Sequence, residues 1–163
     1  LRVKIYSKMN QLDYIDKQIL LALKADARKA FSKIADDLNI SNSLVHQRIK
    51  KMKEDGVILK ADLLLDEHKI GYSTKSYVGI RLKEARFAAQ IVASLKEIVE
   101  ITECNYVSGK YAIFALVYAK DNDHLRQILY NRIHEIDGVA GTDSFICFST
   151  NFNRSIPLIS EVK

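Results

Sequence analysis

Apolar residues in the first third of the chain recur at helical spacing. Leu12, Ile15, Ile19 and Leu23 form one row, and Asp13 stands where a helix over Tyr14–Lys24 needs its cap. Phe31, Ile34, Ala35 and Leu38 form a shorter row, closed by Asn39, a residue that tolerates a left-handed conformation. A third helix is predicted from Asn42 to about Asp55, with Gly56 as its stop. Ser41 is its N-cap, and Ile40 and Val45 occupy the positions of a hydrophobic staple. The reciprocal capping box is absent, because Leu44 stands where Glu or Gln belongs. Two short helices separated by Asn39-Ile40-Ser41 read as a helix-turn-helix.

Beyond Gly56 the pattern changes. Val57–Leu65 reads as extended, either a wing or, better, a strand linking two domains, and Asp66–Tyr72 with Gly71 is the hinge. Ser76–Leu82 is strand-like, and Arg86–Leu95 is helical through Phe87, Ile91 and Leu95. Thr102–Val107 and Ala112–Ala119 are strands joined by a glycine turn. Asp123–Ile136 is helical through Leu125, Ile128, Leu129, Ile133 and Ile136, and Val139–Thr150 is a last strand. The order βαββαβ is a ferredoxin-like arrangement, so the fold class is α+β. With both helices on one face, the strands should alternate apolar and polar. Residues 112–118 and 145–148 are instead apolar on both parities. A second subunit's sheet is therefore expected to cover the bare face, giving a two-fold homodimer. The predicted domains are 9–58 (helix-turn-helix), 59–72 (linker strand and hinge) and 73–163 (βαββαβ). Residues 1–8 precede Met9, lack periodicity and are set aside as a leader.

Charge sharpens the first domain. The net charge of +5 is uneven: residues 1–70 hold 14 Lys/Arg against 10 Asp/Glu, residues 71–163 hold 11 against 10. The stretch Ser41–Lys53 has no acid at all. Projected at ~100° per residue, the third helix buries Val45, Ile49 and Met52 and presents Ser43, Gln47 and Lys50 on the opposite side. His46 and Lys51 flank that outer face, and Ser41 and Asn42 lie at its N-terminal end. Gln can bond adenine bidentately, Lys can reach guanine, and Ser serves either. Lys51 and Lys53 are phosphate candidates, which set register without reading sequence. Arg48 falls on the shoulder of the buried stripe and is expected to bond neighbouring backbone or a phosphate. A bundle with an incidentally cationic face is the plainer alternative, but the turn, cap, staple and acid-free run together favour double-stranded DNA. Two other classes remain: an architectural DNA-binding protein with little sequence preference, and a metabolite-binding oligomer whose N-terminal helices bind protein.

Catalytic chemistry finds no support. His46, His68, His124 and His134 show no metal-ligand spacing, and there is neither a GxGxxG nor a P-loop. No metal or cofactor is expected, and no apolar run approaches the ~18 residues that span a bilayer. Cys104 and Cys147, without CxxC spacing, fit free thiols in a reducing cytoplasm better than a disulfide.

Several short segments carry a resemblance. Leu12-Asp13-Tyr14-Ile15-Asp16 with Ile19-Leu20 comes first, then Asp26-Ala27-Arg28 and Ile34-Ala35. Ile40-Ser41-Asn42-Ser43-Leu44-Val45 with Arg48-Ile49 follows, and then Gly56-Val57-Ile58, Gly71-Tyr72, Ser108-Gly109 and Gly138-Val139. In this order the chain resembles the Lrp/AsnC, or feast/famine, family of bacterial and archaeal transcription regulators. The resemblance implies a winged-helix-type DNA-binding domain and a sheet-dimerised effector domain of the RAM/ACT-like kind. It further implies tetramers or octamers built from dimers, tuned by an amino acid. It places that small-molecule effector between dimers, near Ser108, Gly109, Lys110, Tyr111 and Ala112, with Thr142 and Ser144 as partners. A glycine turn with free amides can hold a carboxylate, though it can equally be a plain hairpin. The chain departs from the family at Ala112 and Lys110, where acidic residues are frequent.

Overall fold

In a computed structural model that describes residues 12–158, Asp13 opens the first helix, α1 (Tyr14–Ala25). Its carboxylate accepts from the Asp16 amide at 2.9 Å, and the Asp16 carboxylate accepts from the Asp13 amide at 3.3 Å. The leader assigned to 1–8 lies outside the described residues. Helix α2 (Phe31–Leu38) ends at Asn39, which takes φ 52 and ψ 48 as its type allows. Helix α3 (Asn42–Glu54) starts at Ser41, whose hydroxyl accepts from the Leu44 amide at 3.2 Å. Ile19, Ile34, Ala35, Val45, Ile49 and Met52 form the buried core, with Ile40 packed at its edge. Each large side chain so buried contributes about 1.5–3 kcal/mol. The apolar rows of the three helices thus meet in a single core, which fixes α3 with its opposite side in solvent.

Gly56, at φ 72, turns the chain off α3. The Val57 and Ile58 amides then donate back to the Met52 carbonyl at 2.8 and 3.0 Å, and Ile58 packs onto the core. The strand expected within Val57–Leu65 does not form: residues 57–73 contain no strand among the described residues. A strand needs a neighbouring strand to accept its amides, and none lies beside this segment among the described residues; Leu59, Leu63 and Leu64 are largely exposed. The chain divides into two compact units, residues 12–63 with 154–158, and residues 64–153. The tail 154–158, taken with the βαββαβ domain in the sequence, is held in the first unit, where Lys24 Nζ donates to the Ile156 carbonyl at 2.6 Å.

The second unit is built from β1 (Thr74–Leu82), α4 (Ala88–Lys96), β2 (Ile101–Tyr106), β3 (Ile113–Ala119), α5 (Asn122–Ile128) and β4 (Val139–Cys147). The sheet order is β2-β3-β1-β4, with every pairing antiparallel. This is the ferredoxin-like topology. Val78, Ile80, Ile113 and Val117 face the helices and pack with Ile91, Leu95, Leu125, Ile128 and Ile133. The opposite face carries Tyr77 beside both Leu116 and Phe145, and Phe114 beside Gly79, all from one register parity. Phe114 and Phe145 stack at 5.9 Å, and Tyr77 and Phe145 remain 40% and 47% exposed.

Three elements differ from the periodic reading. The helix expected at Arg86–Leu95 begins as a 3-10 turn, Ala85–Phe87. That turn sets Phe87 over Gly138, where a Cβ would lie 2.4 Å from the ring and φ is +91°. The helix expected over Asp123–Ile136 is α-helical only to Ile128 and continues as a π-helical turn, Leu129–Ile133. The wider turn, closed by the His134 amide on the Leu129 carbonyl at 2.9 Å, inserts a residue while keeping Ile128 and Ile133 buried. The last strand stops at Cys147 rather than Thr150. Cys104 on β2 and Cys147 on β4 sit on opposite edge strands and are free thiols.

Candidate nucleic-acid interface and ligand cavity

The sequence of α3 divides cleanly between its two sides. Val45, Ile49 and Met52 are buried, and Asn42, Ser43, His46, Gln47, Lys50, Lys51 and Lys53 are exposed with Ser41. Ser43 is tied to the cap, its hydroxyl 3.1 Å from that of Ser41. His46 stands edge-on to Phe31 of α2, ring centroids 4.9 Å apart, so the imidazole is steadied at the flank of the exposed face. Lys50 reaches Glu54 only at 3.9 Å, with both side chains well exposed. Such a pair is worth little in water and leaves the ammonium available to an anion.

Arg48 departs from expectation. In place of neighbouring backbone it takes side chains at the start of α1: Nη1 lies 2.6 Å from Asp13 Oδ2 and 3.4 Å from Asp16. The two carboxylates that cap α1 therefore also hold α3. The Asp16 amide, and after it Arg48, keeps the Asp13 carboxyl below the ordinary carboxylate range, while Asp13 pushes the guanidinium further up. Asp13 and Asp16 are functional residues that sequence reading missed, since they lie 35 and 32 positions from Arg48.

In the second unit a cavity of about 550 Å³ opens beside the turn between β2 and β3. Arg81, Lys83 and Glu84 line one side, and Gly109, Lys110, Tyr111 and Ala112 the other. Of the effector residues suggested by resemblance, the cavity brings together Gly109, Lys110, Tyr111 and Ala112. Ser108, Thr142 and Ser144 are not on its wall. Thr142 Oγ1 is 2.7 Å from His134 Nε2, and Ser144 pairs with Val78 on the helix-facing side of the sheet.

The residue the sequence did not flag is Asp143. It ion-pairs with Arg81, and Lys110 Nζ lies 3.4 Å away. The Tyr111 hydroxyl, with Arg81 and Lys110, holds the Asp143 carboxyl below its usual range. Tyr111 in turn lies flat on β1, where a Cβ on Gly79 would stand 2.7 Å from its ring. Lys110 Nζ sits 5.2 Å from the Tyr111 ring centroid. The turn is thus anchored by one aromatic ring and one carboxylate.

Comparison with known proteins agrees with both units. Residues 12–58 match a family model described as winged helix-turn-helix DNA-binding, and residues 75–156 match one described as Lrp/AsnC ligand binding domain. The regulatory protein AsnC of Escherichia coli K12 is 33% identical over 145 residues, 89% of this chain and 95% of that protein. The HTH-type transcriptional regulator LrpA of Pyrococcus horikoshii is 34% identical over 128 residues, 78% of this chain and 90% of its own length. The solved structure of E. coli AsnC superposes with a TM-score of 0.84, covering 88% of this chain and 97% of that one. A transcriptional regulator from Neisseria meningitidis, solved in complex with L-Met, shares the fold at TM-score 0.84 and 18% identity, over 90% of this chain and 97% of that one.

Proposed function

Because the chain belongs to the Lrp/AsnC family of transcription regulators, which are not enzymes, we propose that it reads operator DNA with the outer face of α3. The observation that carries this reading is the division of α3. Its apolar side is locked into a core, while Ser43, Gln47 and Lys50 project outward with no strong acidic partner among the described residues. Gln47 and Lys50 read base edges in the major groove, and Lys51 and Lys53 hold phosphates. Residues 12–58 form the DNA-binding domain, 59–72 the connection, and 73–153 the domain that senses a small molecule and oligomerises.

The aromatic face of the sheet, exposed in a single chain, packs on the same face of a second copy. A two-fold dimer then presents two α3 helices to half-sites spaced by one helical turn of DNA or a multiple. The ligand-binding match, and the L-Met held by the Neisseria protein of the same fold, support a small-molecule effector at the cavity beside Gly109 and Lys110.

Selection of bound fragments from a random double-stranded pool tests the reading. A palindromic consensus is expected, with affinity falling steeply as salt rises. A pool recovered without enrichment would instead indicate an architectural binder. Indifference to every duplex in dilute buffer would overturn DNA binding altogether.

A further inference from the structure

The charges around the cavity beside the β2–β3 turn are unbalanced, and the imbalance points to an occupant. Arg81, Lys83 and Lys110 line it, and Glu84 is the one acid on its wall. Glu84 lies 2.8 Å from Arg86, with both side chains more than half exposed. Asp143, off the wall, answers Arg81 and Lys110 together, so one carboxylate serves two cations. Lys83 approaches Asp137 only at 3.7 Å, with both side chains more than half exposed, a pair that solvent screens. Among the described residues nothing accepts from the amides of Ser108, Gly109, Lys110 or Tyr111. Gly109, at φ 112, holds that turn in a conformation other residues resist.

We propose that the cavity takes a small dicarboxylate, one carboxylate on the amides of the turn and the other on Lys110 and Arg81, without reading an α-amino group. Successive unpaired amides are a ready anion cradle, and the lysine and arginine supply the second anchor. A zwitterionic amino acid also brings an ammonium ion, and the wall sets against its three cations a single exposed carboxylate, already paired with Arg86. Placed among three cations, that ammonium is repelled, the more so where water is excluded. The volume, about 550 Å³, lies within the range of small-molecule sites, roughly 300–1,000 Å³. This ligand class rests on the reading that the second unit senses a small molecule.

Calorimetric titration of the full chain with glutarate, L-glutamate, L-leucine and L-lysine tests it. Glutarate is expected to bind, L-glutamate about tenfold or more weakly because of its ammonium, and L-leucine and L-lysine more weakly still. Lys110→Glu is expected to weaken both diacids by about tenfold or more, and Lys110→Arg to retain them, with thermal unfolding checking that each variant folds. Should Lys110→Glu fail to fold, Lys110→Gln carries the same comparison with half the change in charge. The proposal is overturned if L-leucine or L-lysine binds as tightly as glutarate, if L-glutamate binds while glutarate does not, or if neither diacid binds at millimolar concentration. DNA binding by the same preparation separates the two readings. Diacids ignored by a protein that still holds duplex would sink the ligand class alone, and diacids bound by one that ignores duplex would sink the regulator reading alone.

Discussion

Arg48 sits on α3, the helix proposed to face DNA, yet its guanidinium is engaged by Asp13 and Asp16. Its work is to hold α3 against α1. Arg48→Ala is therefore expected to lower stability by about 1 kcal/mol, a modest figure because Asp13 is half exposed and solvent screens the pair. The salt dependence of DNA binding should stay unchanged, whereas Lys51→Ala or Lys53→Ala should reduce its slope by about 0.9. Gln47→Ala or Lys50→Ala should alter preference at one base position, costing about 1–3 kcal/mol there; competition with single-base operator variants measures it. Asp13 adds a pH signature. Its folded pKa is depressed, so its contribution is present above the ordinary carboxylate pKa and is lost as pH falls through the lowered folded value. Removing the cap in Asp13→Ala should cost about 1 kcal/mol at neutral pH, with the gap from wild type closing in acid, as urea denaturation across pH would read. Helical projection places a side chain on a shoulder of its helix but cannot name a partner more than thirty positions away. For that reason Arg48 was legible as different and Asp13 was legible only as a cap.

At the level of elements, the helix-turn-helix was almost wholly written in local residues. Asp13, Asn39, Ser41 and Gly56 each act within a turn of where they stand, so a linear reading finds them. The departures arise where geometry depends on distant neighbours. The π-helical turn after Ile128 follows from the need to bury Ile128 and Ile133 in one core, and the strandless segment 57–73 from the lack of a ladder partner among the described residues. The cavity was half legible. Gly109 announces a tight turn, but Asp143 reaches it from a strand more than thirty residues later. Glycines at close approaches give a test at this scale. Gly138→Ala must hold a left-handed φ and displace the Phe87 ring, so it should lose more than about 1 kcal/mol, seen as a lower urea midpoint with an unchanged slope.

For the whole molecule, the informative feature is the aromatic face that one chain leaves partly open. Alternation failed on the strands because both faces are apolar, and that failure was visible in the sequence before any coordinate. Phe145→Asp places a charge on this face without touching the helix-side core. It is expected to shift the protein towards monomer in sedimentation at micromolar concentration while circular dichroism stays unchanged. A monomeric wild-type protein under the same conditions would remove the sheet-to-sheet dimer.

The same face has a spectroscopic consequence. The chain has eight tyrosines and no tryptophan, so its ultraviolet emission is phenolic throughout, undimmed by transfer to an indole. Tyr77, Tyr111 and Tyr118 lie on or against the open side of the sheet. Dilution across the association range should therefore change the intensity near 300 nm, giving a label-free gauge of subunit exchange.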